Sequence, residues 1–223
     1  MTLTQSVAPD ATAPDLTAAD LTAPDLTAPD LTALVGSRIC HDLISPLGAI
    51  GNGVELLSLM GGRGTGAEVA LISESVAAAN AKIRFFRIAF GSAEPGRSLS
   101  PNEIASVLED VGRTGRVKVG WRVAGDVPRP EAKLAFLLLQ CFESAMPFGG
   151  GVEVRAERGR WRMLGVADKL RADPALWALL AGEAGGRPVT PAQVHFALAP
   201  DLARRLGRQI RAEIAETRIE VAF

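Results

Sequence analysis

From residue 69 to residue 90 the side chains Val69, Ile72, Val76, Ala79, Ile83, Phe86 and Phe90 follow one another in alternating steps of three and four. Such steps average about 3.5 residues, the repeat that keeps an apolar seam facing a neighbour in a left-handed supercoiled bundle. The spacing predicts a helix over residues 67–90. A second helix is predicted upstream, over residues 29–60. There Ile39, Leu43, Pro46, Ile50, Val54 and Leu57 share one side when successive residues are set about 100° apart. Gly48, Gly51 and Gly53 weaken that helix by about 1 kcal/mol each, so packing must hold it. The run Gly61-Gly62-Arg63-Gly64-Thr65-Gly66 reverses the chain between the two. It lacks the Gly-Lys-Ser/Thr ending of a phosphate cradle. Two antiparallel helices cannot enclose both stripes, but two hairpins from two chains can, as a four-helix bundle. The pattern therefore implies a homodimer.

The first helix carries the run Ser37-Arg38-Ile39-Cys40-His41-Asp42-Leu43-Ile44-Ser45-Pro46-Leu47. His41 falls opposite the apolar stripe, in company with Ser37, Arg38, Ser45, Gly48 and Asn52. A structural histidine belongs on the stripe, and an incidental surface histidine needs neither an adjacent carboxylate nor a face cleared of large side chains. Imidazole is a competent nucleophile near neutral pH once a neighbour fixes its tautomer. Asp42 is placed to do so, by accepting the ring N–H or taking up a proton. Ser45, one turn on, is placed to hydrogen-bond a phosphoryl group or a water.

The segment His41-Asp42-Leu43-Ile44-Ser45-Pro46-Leu47 resembles the H-[ED]-x-x-[STN]-P box of histidine kinase dimerisation domains. Cys40-His41-Asp42 with Ile44-Ser45-Pro46, and the later Arg87-Ile88-Ala89-Phe90-Gly91, resemble the ChpT-type histidine phosphotransferases of alphaproteobacteria. The likeness covers residues 31–223. It implies that His41 accepts a phosphoryl group from one receiver-domain aspartate and yields it to another. It also implies a homodimer whose partners are response-regulator receiver domains of the CtrA and CpdR type and a hybrid histidine kinase receiver of the CckA type. No cofactor of the chain's own is expected, magnesium belonging to the receiver. The small face of Arg38, Gly48 and Asn52 is expected to meet that partner, with His41, Asp42 and Ser45 doing the chemistry.

Beyond Gly91 the pattern changes. Ser100-Pro101-Asn102-Glu103 is a capping box with proline at the first helical position, opening a helix to about Val111. A strand is expected over residues 118–123 and a strongly apolar helix over 130–146. Residues 152–157 and 161–167 read as a hairpin across Arg158-Gly159-Arg160. Helices are expected at 174–181 and at 191–206, the latter broken at Pro200. Residues 209–215 and 217–223 close the chain as a second hairpin. The fold class expected is α+β: an N-terminal antiparallel helical hairpin forming a dimeric four-helix bundle, then a C-terminal α/β sandwich with helices on one face of a sheet. The boundaries expected are 1–28 for a tail, 29–92 for the hairpin and 98–223 for the sandwich.

The order of the sandwich resembles a degenerate histidine kinase ATPase domain. That family needs a magnesium-binding asparagine on the helix, where Gln140-Cys141-Phe142-Glu143-Ser144-Ala145-Met146 supplies none. It needs Asp-x-Gly-x-Gly at the adenine, where Asp168-Lys169-Leu170-Arg171 has no glycine, and its glycine-rich lid is replaced near Val189 to Gln193. ATP is therefore not expected to bind. His195 lacks a carboxylate neighbour in sequence and reads as incidental; Lys82, Arg84 and Arg87 read as a solvated face.

The tail repeats Ala-Pro-Asp-Leu-Thr with little variation from Ala13 to Thr32, and regular proline in an acidic repeat points to disorder, its last copy capping the first helix through Thr27 or Asp30. A net charge of −1 gives no reason to expect nucleic acid. No apolar run nears the ~20 residues of a membrane span, and no signal peptide is visible. The two cysteines, Cys40 and Cys141, read as small buried residues in a reducing cytoplasm. Two other readings compete: a histidine kinase or phosphatase with a divergent ATP site, and a non-catalytic dimeric scaffold with an inert His41.

Overall fold

The computed structural model describes residues 30–59, 66–182 and 188–223. The repeat tail, Thr27 and most of the glycine-rich reversal lie outside these residues. Helix α1 spans Leu31–Leu59 and α2 spans Gly66–Ala89. Asp30 caps α1: its Oδ1 accepts the Thr32 amide at 2.8 Å. The two helices pack closely because Gly53 has no side chain; a Cβ there would collide with Ile72. Val54, expected on the buried stripe of α1, is exposed, and so are Val69, Val76 and Ile83 of α2.

The end of α2 is built into the rest of the molecule. Phe85, Phe86, Ile88 and Ala89 belong to the same buried cluster as the sandwich, so the core runs on from the hairpin without a gap. The last carbonyls of α2, which lack helical amides, are held by α4 (Arg129–Ala145). The Arg129 guanidinium donates to Arg87 O and, through Nε, to Ser92 O, and Lys133 Nζ donates to Gly91 O at 2.8 Å. Gly91 must be glycine here, because a Cβ would overlap the Arg87 carbonyl oxygen.

Strand β1 (Ser98–Leu99) pairs antiparallel with β3 (Val127–Pro128), a ribbon too short to show in the sequence. Helix α3 (Pro101–Thr114) starts at the predicted cap, with Ser100 Oγ accepting the Glu103 amide. The main sheet contains β2 (Val117–Arg122), β4 (Gly150–Glu157), β5 (Arg160–Val166), β6 (Arg211–Ile214) and β7 (Arg218–Ala222), in the order β2-β4-β5-β7-β6. Only β2 and β4 run parallel, joined by the α4 crossover. The expected hairpin turn is present: Arg158 and Gly159 both have positive φ, 51° and 76°, as a two-residue I′ turn demands.

One sheet face is buried. Val152, Val154, Trp161, Met163, Ile219 and Val221 point inward while Arg160, Arg162 and Val166 point to solvent. α4 lies directly on this face, and Gly165 of β5 makes room for Phe142 and Met146. Helix α5 (Pro174–Leu180) and α6 (Val194–Arg205), entered through a short 3₁₀ turn at Pro191–Gln193, complete the layer. The break expected at Pro200 does not occur. Burial of Phe196, Ala199 and Ala203 holds α6 together against the lost hydrogen bond.

Candidate functional site

His41 projects from α1 with 83% of its side chain exposed. Its Nδ1 lies 3.1 Å from Asp42 Oδ1. A carboxylate only accepts, so Nδ1 carries the hydrogen, and the neutral ring then has its lone pair on Nε2. The other Asp42 oxygen, Oδ2, pairs with Arg38 at 2.9 Å, one turn back on the same helix. Asp42 is thereby held from two sides, with only 16% of its side chain exposed.

The backbone beneath this pair is also special. Pro46 has no amide to give to the carbonyl of residue 42, four positions earlier, so that oxygen is orphaned inside α1. Lys82 of α2 supplies the missing donor: its Nζ reaches Asp42 O at 3.0 Å. The proline of the box thus lets the second helix grip the first at the level of the histidine. Lys82 is not part of a solvated face, and neither is Arg84, which pairs with Asp110 at 2.5 Å and reaches Ser106.

Ser45 is exposed and lines a groove of about 440 Å³ between the hairpin and the sandwich. Pro46, Ala49 and Lys82 form one wall, and Gly115, Arg116 and Glu143 stand on the other. Gly48 and Asn52 are exposed further along α1, and a Cβ at Gly48 would meet nothing within 4 Å.

Arg38 is placed otherwise than expected for a partner-facing residue. Only 17% of its side chain is exposed, and beyond Asp42 it donates to Ala192 O at 3.2 Å, in the 3₁₀ turn before α6. Cys40 is exposed, not buried, because it shares the outer side of α1 with Ile44 and Leu47; Cys141 is buried as expected. His195 is not incidental. It is fully buried at the start of α6, with Nε2 at 3.1 Å from Ser144 Oγ. Ser144 gives its own hydrogen to Gln140 O at 2.9 Å, so it accepts from the ring. Burial pushes the His195 pKa from 6.5 down to about 3, and the Arg38 charge adds to the shift. No sequence signal marked it, since its partners come from α1 and α4.

Trp177 of α5 is buried and sits edge-to-face against Phe142 of α4 at 5.9 Å and Phe196 of α6 at 5.8 Å. Among the described residues no group of three or more His, Cys, Asp or Glu side chains could hold a metal ion.

Comparison with known proteins agrees with this layout. Residues 101–218 match the histidine phosphotransferase C-terminal domain family. Over 184 residues the chain is 36% identical to the protein phosphotransferase ChpT of Brucella abortus (strain 2308), spanning 80% of this chain and 87% of that relative. A solved structure of a bacterial phosphotransferase superposes with a TM-score of 0.74 at 32% identity, covering 86% of this chain and 95% of that one.

Proposed function

The chain belongs to the histidine phosphotransferase family, and from that premise we propose that it relays a phosphoryl group between receiver-domain aspartates through a phosphohistidine at His41. The observation that carries the reading is the His41–Asp42 contact, which directs the Nδ1 hydrogen to the carboxylate on a side chain that is 83% exposed. The Nε2 lone pair attacks phosphorus in an aspartyl phosphate. An N–P bond forms, the P–O bond to the aspartyl carboxylate breaks, and the carboxylate leaves with the electron pair. Asp42 stabilises the resulting cationic ring through the Nδ1 hydrogen, and the reverse sequence loads the next receiver. Any magnesium in the reaction is held by the receiver.

The partner we infer is a receiver domain seated against α1 and the groove beside Ser45, close enough for in-line transfer. We read the chain as a homodimer. Ile44, Leu47 and Val54 of α1 and Val69, Val76 and Ile83 of α2 are exposed apolar side chains, the seam a second hairpin would cover. We read it as independent of ATP, supported by Gln140, Glu143 and Ser144 on α4 and by Lys169-Leu170-Arg171 after Asp168. The reading places the protein with its receivers in the cytoplasm; among the described residues no helix is long and apolar enough to cross a membrane.

Incubation with a phosphorylated receiver tests the proposal. Acid-labile label should appear on the wild-type chain and be absent from folded His41→Ala. Equal labelling of that variant refutes the assignment, and saturable heat on titration with millimolar magnesium ATP refutes ATP independence.

A further inference from the structure

Arg38 and His195 each keep one buried polar atom without a hydrogen-bond partner, Nε of the guanidinium and Nδ1 of the ring. Buried polar atoms are seldom left so. The two are complementary. Arg38 Nε–H is a donor. His195 Nδ1 is an acceptor, because Nε2 carries the hydrogen that Ser144 accepts. Arg38 is close enough for its charge to disfavour a proton on His195. The remaining nitrogens of Arg38 are already committed, one to Asp42 on its own helix and one to Ala192 O before α6.

We propose that Arg38 is a positioning residue, which couples the seating of the α6 end on α1 to the tautomer of His41. The proposal rests on the reading of His41 as phosphoacceptor. One guanidinium fork spans both elements: it anchors on Ala192 O, and from that anchor fixes Asp42, which in turn keeps hydrogen on His41 Nδ1. A lysine has no planar fork, and its one nitrogen must share its donors between Asp42 and Ala192, so it holds them less firmly. The sandwich thereby keeps the nucleophile ready, a task that needs no nucleotide. When the α6 end leaves α1, Asp42 loses its brace and the imidazole relaxes towards the tautomer with hydrogen on Nε2, and that nitrogen then has no lone pair for attack.

The chain has two histidines, so nitrogen NMR of the full-length protein shows two imidazoles, and His41→Ala identifies each. In wild type His41 should show hydrogen on Nδ1. In Arg38→Gln the Nε2–H form should become the major one, and the transfer rate at saturating receiver should fall about tenfold, while the KM for receiver stays within about twofold. An unchanged tautomer with an unchanged rate overturns the proposal, as does a rise in KM alone, which would make Arg38 a contact residue. If Arg38→Gln does not fold, Arg38→Lys carries the test: the same split at smaller amplitude supports the coupling, and wild-type behaviour in that folded variant overturns it. A tautomer that responds to Arg38 in a chain that takes no phosphate on His41 refutes the phosphoacceptor reading and upholds the coupling.

Discussion

Lys82 Nζ, 3.0 Å from the Asp42 carbonyl oxygen, takes the place of the amide that Pro46 lacks. The lysine and the proline are thus two halves of one device, and they predict a thermodynamic cycle. Lys82→Met keeps the apolar stem and leaves the carbonyl unpaired, at a cost of about 1–3 kcal/mol. Pro46→Ala restores an amide at the fourth position. The double variant should therefore lose less stability than the two single losses added together. Urea unfolding of the four proteins checks this, and strict additivity would mean that the two residues act independently.

Gly48 lies two turns beyond His41 on the exposed side of α1, and a side chain there meets nothing within 4 Å. Gly48→Arg should consequently leave folding intact, or improve it by up to about 1 kcal/mol through helix propensity. A receiver helix approaching His41 would instead meet a long cation where it needs clearance. Transfer should fall by at least an order of magnitude with an unchanged melting temperature. Normal transfer by that variant would place the receiver elsewhere.

Ile83 is 42% exposed in the single chain, with Val69 and Val76 on the same stripe of α2. In a monomer Ile83→Asp puts a carboxylate into water at almost no cost. In a four-helix bundle it buries an unpaired charge, at several kcal/mol per copy. Light scattering should report a dimer for wild type and a folded chain of half the mass for the variant. A dimer that survives the substitution would remove α2 from the interface.

Local signals accounted for most of the elements. The Ser100 capping box, the alternation in β4 and β5 and the Arg158-Gly159 turn each act over a few residues, so the chain alone reveals them. The misreadings involve partners distant in sequence. Pro200 sits within a continuous helix because Phe196, Ala199 and Ala203 are buried against other elements, which the 3.6-residue pattern does not report. Residue type points Cys40 to the core, but α1 turns that side outward. Periodicity put Arg38 on the His41 face, and only its reach to Ala192, 154 positions away in the chain, turns it inward. His41 and Asp42 were legible because their contact is between neighbours.

His195 yields the remaining prediction. Its folded pKa is lowered from 6.5 to about 3, chiefly by burial and secondly by Arg38. The folded ring therefore refuses a proton that the unfolded ring takes. Above pH 6.5 the ring is neutral in both states and contributes no pH dependence. As pH falls below that value the unfolded state binds one proton more, so stability declines by about 1.4 kcal/mol per pH unit until the folded pKa is reached. His195→Gln keeps an N–H for Ser144 and does not titrate. Urea unfolding between pH 7.5 and 4.5 should give a curve for that variant shallower than wild type by that slope at the acid end, while every other titrating group contributes equally to both. Parallel curves would mean that His195 takes up its proton without leaving the fold.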